Sequence, residues 1–227
     1  MRYFYLALFF AIGCQEAFTQ IANPDVQIDS CPYNIIFVLD ESGSISGQRL
    51  ADVEAGAKNL VAGVSGSGSR MAIVEFDCSV RRASIGGSIA YQTVDNTYVT
   101  NFNNYINGGG GSGNNATYSP SGGTNWAGAF SVVSSISSGS PPNDGLADLI
   151  IFFTDGNPNC GGSGVGQANA VKGQGSHIFV IGVTPGGPGL TNIQNISGTD
   201  AYVPGSTGSF LGFDYSLNAT FLTPECR

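Results

Sequence analysis

Four runs of nearly unbroken apolar residues punctuate the chain: IIFVLD (35–40), MAIVEF (71–76), LIIFF (149–153) and HIFVIGV (177–183). A strand with one solvated face alternates apolar and polar residues, so runs this continuous predict strands buried on both faces, as in a parallel sheet. Between them the period changes. Leu50, Val53, Ala57, Leu60, Val61 and Val64 recur at helical spacing, as do Trp126, Phe130, Val133 and Ile136. Shorter helical stretches are expected at 167–172 and around Ile193, a short strand at AYVP (201–204), and a last helix carrying Phe210, Phe213, Leu217 and Phe221 on one side. RRASIGG (81–87) reads as a short edge strand. Strands alternating with helices predict an α/β fold: a doubly wound, mostly parallel central sheet with one short antiparallel edge strand and helices on both faces. The segment NGGGGSGNNATYSPSGGTN (107–125) interrupts the rhythm, which then resumes. It reads as a long loop within one domain, at the end of the sheet where loops carry function.

The first residues, MRYFYLALFFAIGC, set Arg2 before an apolar stretch too short to span a bilayer. We expect a signal peptide over about 1–19, cleaved between Gly13 and Gln20, then a short segment over 20–30 and one domain over 31–227. AIGC (11–14) also loosely resembles a lipoprotein cleavage site, without the usual leucine. No later run has transmembrane length, so a secreted, extracellular protein is expected.

Composition narrows the choice of function. With 8 basic against 16 acidic residues the formal charge is −8, which argues against nucleic acid, whose phosphates require clustered Lys and Arg. The pair Arg81 and Arg82 reads as a solvated strand edge. Removing the leader takes one of the 5 cysteines and leaves Cys31, Cys78, Cys160 and Cys226, an even set suited to disulfides in an oxidising compartment. No C-x-x-C spacing occurs and His177 is the only histidine, so a zinc site built on thiolates and imidazoles lacks ligands. Catalysis is not expected either. Neither a G-x-S-x-G elbow nor a phosphate loop is present, Lys58 and Lys172 fall in helical stretches, and His177 opens a strand at the far end of the sheet from Asp40.

In an open parallel sheet, ligands bind beyond the carboxyl ends of the strands. Three segments bring oxygen-bearing side chains there: D-E-S-G-S with Asp40, Ser42 and Ser44, the SGGTN loop with Thr124, and T-D-G with Asp155. Carboxylates and hydroxyls are hard ligands that suit magnesium, manganese or calcium. Taken singly, Ser44 or Ser46 could cap a helix and Asp155-Gly156 could be an ordinary turn. Together the three segments ask for a common explanation.

On those motifs the chain resembles the von Willebrand factor type A domain, also called the integrin I domain, over about residues 33–226. The resemblance implies a Rossmann-like fold and a metal-ion-dependent adhesion site with Asp40, Ser42, Ser44, Thr124 and Asp155 as ligands of Mg²⁺, or of Mn²⁺ or Ca²⁺. It also implies an extracellular protein partner whose Asp or Glu completes the coordination, with the Asp155 contact often passing through water. Gly43, Gly122 and Gly123 would let the loops approach the ion. A terminal clip between Cys31 and Cys226 is implied as well, which leaves Cys78 to pair with Cys160. Sequons at Asn115, Asn195 and Asn218 are possible N-glycosylation sites, at a number chance alone would supply. The expected function is adhesion; the alternative is a structural matrix component in which the metal serves stability.

Overall fold

The computed structural model describes residues 32–108, 116–137, 147–183 and 187–197. At its centre lies β1 (Asn34–Asp40), whose residues 35–39 are fully buried. It pairs in parallel with β2 (Arg70–Phe76) on one side and β5 (Leu149–Thr154) on the other, and β6 (His177–Gly182) pairs in parallel with β5. Two short strands run antiparallel to β2, β3 (Val80–Arg82) along its end and β4 (Gln92–Thr93) along its start. The six-stranded sheet follows the order β3-β2-β1-β5-β6 with β4 beside β2. The antiparallel edge therefore comprises β3, which meets the expected 81–87 segment only at Arg81 and Arg82, and β4, which the pattern did not announce.

Side chains alternate across β1, and the two cores follow that alternation. Ile35, Phe37 and Leu39 point into one core with α1 (Gln48–Val64) and α2 (Asn96–Ile106). Ile36 and Val38 point into the other, with α3 (Trp126–Ser137), α4 (Val165–Gly173) and α5 (Gly187–Ser197). Aromatic rings fill both layers: Phe152 stacks on Phe130 at 4.9 Å between centroids and on Phe76 at 5.2 Å, and Phe37 meets Phe153 edge-on at 5.2 Å. Burial on both faces accounts for the unbroken apolar runs of the sequence.

One whole helix went unread. In α2, Tyr98, Phe102, Tyr105 and Ile106 turn inward, and Asp95 caps the helix by accepting from Tyr98 N at 2.8 Å. The expected leader, Cys31, the centre of the glycine-rich loop with Asn115, and everything after residue 197 lie outside the described residues. That last stretch includes the expected strand at 201–204, the last helix, Asn218 and Cys226.

Candidate metal centre

β1, β2, β5 and β6 end at the same edge of the sheet, and the candidate side chains start there. Asp40 is the last residue of β1 and is fully buried. Its Oδ1 accepts from Ser42 N at 2.9 Å, a local turn that folds the loop back over the carboxylate. Its Oδ2 accepts from Thr154 Oγ1 at 2.6 Å. The hydroxyls of Ser42 and Ser44 stand 2.9 Å apart, so this loop presents them as a pair. Burial pushes the Asp40 carboxyl up to about 6, against the opposing pull of its hydrogen bonds to Ser42 and Thr154 and with a smaller upward push from the charge of Asp155.

Asp155 follows β5 directly. Its Oδ2 meets Arg49 Nη1 at 3.4 Å, and the same guanidinium nitrogen lies 3.4 Å from Ser44 O, which brings the Asp155 and Ser44 segments to one place. Asp155 Oδ1 is buried and meets no hydrogen-bond donor among the described residues. An unsatisfied buried carboxylate oxygen is costly, and a cation is one partner that would satisfy it. Thr154 holds the two acidic segments in register. Its hydroxyl donates to Asp40 while accepting from Trp126 Nε1 and Gly156 N, each at 3.2 Å.

The third segment is tied to the first by backbone. Gly43 N donates to Gly122 O at 3.1 Å and Ser121 N to Glu41 O at 2.7 Å. Thr124 is buried, and its own backbone is bonded to the loop after β5: Thr124 N donates to Asn159 Oδ1 at 2.8 Å, while Thr124 O accepts from Asn159 N and Cys160 N at 3.0 Å. Gly122 has φ of +79°, the left-handed region, and a Cβ on Gly123 would stand 2.5 Å from Asn159 Oδ1 and from the sulfurs of Cys78 and Cys160. At Gly43 the nearest atom to such a Cβ is 3.4 Å away, an ordinary contact.

Three loops thus bring the side chains of Asp40, Ser42, Ser44 and Asp155 and the backbone of Thr124 to one end of the sheet. The donor set is all oxygen and fits a hard divalent cation. Among the described residues no group of three or more His, Cys, Asp and Glu forms a metal site, so any cation here relies on the hydroxyls.

Beneath these loops sits an ionic network that sequence reasoning missed. Glu41, next to Asp40, receives Arg81 Nη2 on Oε2 and Ser119 N on Oε1. Arg81 Nε donates to Glu75 Oε1 at 2.9 Å, and Tyr105 Oη donates to Glu75 Oε2. Tyr118 Oη donates to the carbonyl of Asp40 itself. Arg81 does lie on the edge strand, yet its side chain is only 19% exposed and serves this network, which corrects the reading of it as a solvated residue. Burial pushes Glu41 up to about 7, with the Glu75 charge adding to the effect, and outweighs Arg81 and the backbone bond from Ser119.

Cys78 and Cys160 form a disulfide with Cα atoms 5.5 Å apart. His177 opens β6 opposite Leu149, which itself pairs with Ile35, so it stands at the end of the sheet away from Asp40. Lys58 lies in α1 and Lys172 in α4, while Asn195 lies in α5.

A family model for the von Willebrand factor type A domain matches residues 34–210. The chain belongs to that family. No curated protein matches by sequence. Among solved structures it is similar to the pilus adhesin SpaC of Lactobacillus rhamnosus GG in its open conformation, with TM-score 0.60, 14% identity, 89% of this chain and 31% of that one. It is also similar to proximal thread matrix protein 1 of the mussel byssus, solved with a zinc-occupied MIDAS motif, with TM-score 0.57, 21% identity, 89% of this chain and 48% of that one. A third similar structure is manganese-loaded TRAP of Plasmodium vivax, with TM-score 0.55, 20% identity, 76% of this chain and 65% of that one. At these identities the likeness is one of fold, and the chain spans less than a third of the adhesin and about half of the mussel protein. Type A domains are binding modules, and no helix among the described residues is long and apolar enough to cross a membrane.

Proposed function

We propose that this protein is a secreted adhesion module that captures an extracellular protein through a divalent cation held by Asp40, Ser42, Ser44, Thr124 and Asp155. The observation that carries the reading is Asp155 Oδ1, a buried carboxylate oxygen with no donor among the described residues, in a side chain that Arg49 links to the D-x-S-x-S loop with its paired hydroxyls. A bound Mg²⁺, Mn²⁺ or Ca²⁺ would supply a Lewis-acidic position for a carboxylate of the partner. The chain's own part is to orient. Ser42 N and Thr154 Oγ1 fix Asp40, and the Asn159 loop fixes Thr124. Export to an oxidising compartment is supported by the Cys78–Cys160 disulfide, and a domain over 31–227 behind a leader is consistent with it. A Cys31–Cys226 clip and glycans at Asn115, Asn195 or Asn218 remain part of the proposal.

The test is affinity capture of extracellular proteins on the immobilised chain in Mg²⁺, with elution by chelator. Specific elution that Asp40→Ala and Thr124→Ala both abolish, while their far-ultraviolet dichroism matches the wild type, is the expected result. Capture indifferent to chelator and to both substitutions would remove the cation from the function. The likeness to a thread matrix protein favours a second reading, a matrix component in which the cation serves stability. There Mg²⁺ raises the melting temperature without changing capture.

A further inference from the structure

The metal-face loops are not equally attached, and the difference singles out residues beyond the five candidate ligands. The bridge joins Cys78, just after β2, to Cys160, after β5, two strands that flank β1 on either side. Gly123 lies directly against it. A Cβ at Gly123 would collide with both sulfurs and with Asn159 Oδ1, all 2.5 Å away. Thr124 spends both backbone groups on the same loop, its N–H on Asn159 Oδ1 and its carbonyl on the N–H groups of Asn159 and Cys160. Asn125 Nδ2 closes the arrangement on Cys78 O at 3.0 Å. Asp155 begins the very loop that holds Thr124, whereas the D-x-S-x-S loop is joined to the Thr124 segment through Gly43 N and Glu41 O alone among the described backbone bonds.

We propose that Asn159 and the Cys78–Cys160 disulfide are positioning residues that clamp Thr124 to the Asp155 loop, so that these two candidate ligands move as one unit and cation affinity depends on the clamp. The proposal rests on the metal reading of the previous section. It assigns the disulfide a role at the site rather than a general one in stability. Outer partners that orient metal ligands change affinity by about 10- to 100-fold when removed.

The experiment titrates Mn²⁺ calorimetrically into the full chain, into Asn159→Ala and into the double variant Cys78→Ser/Cys160→Ser. Val64→Ala, at the far end of α1, serves as a variant destabilised away from the site. Hydrogen exchange of the Thr124 amide in chelator gives a second readout that needs no metal. Both clamp variants are expected to bind Mn²⁺ at least about tenfold more weakly and to exchange the Thr124 amide faster. Val64→Ala should melt lower with unchanged Mn²⁺ affinity. Wild-type affinity in both clamp variants, or an equal loss in Val64→Ala, would overturn the clamp while leaving the metal site standing. A wild-type chain that takes up no Mn²⁺ would overturn the metal reading, and the clamp's role at the site with it.

Discussion

The hydroxyl of Thr154 donates to Asp40 Oδ2 and accepts from Trp126 Nε1 and Gly156 N, so one buried oxygen ties β1, α3 and the T-D-G turn together. Thr154→Val keeps the shape and removes the hydroxyl, taking away the partner of Trp126 Nε1, of Gly156 N and of one Asp40 carboxylate oxygen in the interior. We expect a loss of about 1–3 kcal/mol in urea unfolding, and a fall in Mn²⁺ affinity because Asp40 loses one of its two anchors; Thr154→Ser should recover most of both. The candidate donors themselves were legible, because D-x-S-x-S, G-G-T and T-D-G are short spacings at strand ends and loops. Their supports were not. Thr154, Asn159, Glu41 and Arg81 act across 35 to 114 residues of sequence, and nothing in a single chain says which strand lies beside which. Gly123 is intermediate. Its place among the loop glycines was visible, but the atoms that forbid a side chain, two sulfurs and an amide oxygen, come from two other loops. Gly123→Ala is expected to weaken Mn²⁺ binding by pushing the Thr124 segment away from the disulfide and Asn159, as read by the same titration.

At the scale of elements, periodicity worked where burial was two-sided or the apolar stripe was aliphatic. All four long strands, α1 and α3 fall where the apolar pattern put them. It failed at α2, whose sequence NTYVTNFNNYI is built from Asn, Thr, Tyr and Phe with one Val and one Ile, all of indifferent helix propensity. Here tertiary packing decides. Phe102 is fully buried and stacks 6.0 Å from Phe37 of β1, and Tyr105 reaches down to Glu75. A helix that depends on its contacts more than on its propensity should be sensitive to loss of a ring and comparatively tolerant of loss of a cap. Phe102→Ala is expected to cost about 3–5 kcal/mol, and Asp95→Ala, which removes the acceptor for Tyr98 N, about 1 kcal/mol. Equilibrium denaturation of the two variants checks the ratio. A larger loss for the cap would mean that α2 is held by its own helical bonds.

At the scale of the molecule, five of the described acidic residues gather at one end of the sheet. Asp40, Glu41, Glu75, Asp77 and Asp155 cluster there with the guanidiniums of Arg49 and Arg81. The placement opposes stability in the absence of a cation, and its sign follows from the two shifted carboxyls next to each other in sequence. Asp40 is raised from 3.8 to about 6 and Glu41 from 4.5 to about 7, in both chiefly by burial. Each folded carboxyl holds its proton more tightly than the unfolded chain does. The stabilising contribution is therefore complete below about pH 4 and is lost as pH rises through about 6 to 7. A divalent cation works in the opposite direction, because it binds the ionised form and competes with the proton on Asp40. In chelator, then, these two groups should lower the melting temperature from pH 5 to pH 8. Adding Mg²⁺ or Mn²⁺ should do little at pH 5 and stabilise at pH 8. At a hundredfold excess over the dissociation constant the gain is about 2.7 kcal/mol, which for a domain of this size is a rise of very roughly 5–10 °C. Calorimetric melts at the two pH values, with chelator and with cation, measure all four corners. Asp40→Asn should flatten the cation's effect at pH 8, whereas Glu41→Gln should leave that effect standing and remove part of the pH dependence seen in chelator. A cation effect as large at pH 5 as at pH 8 would place the binding on carboxylates other than Asp40.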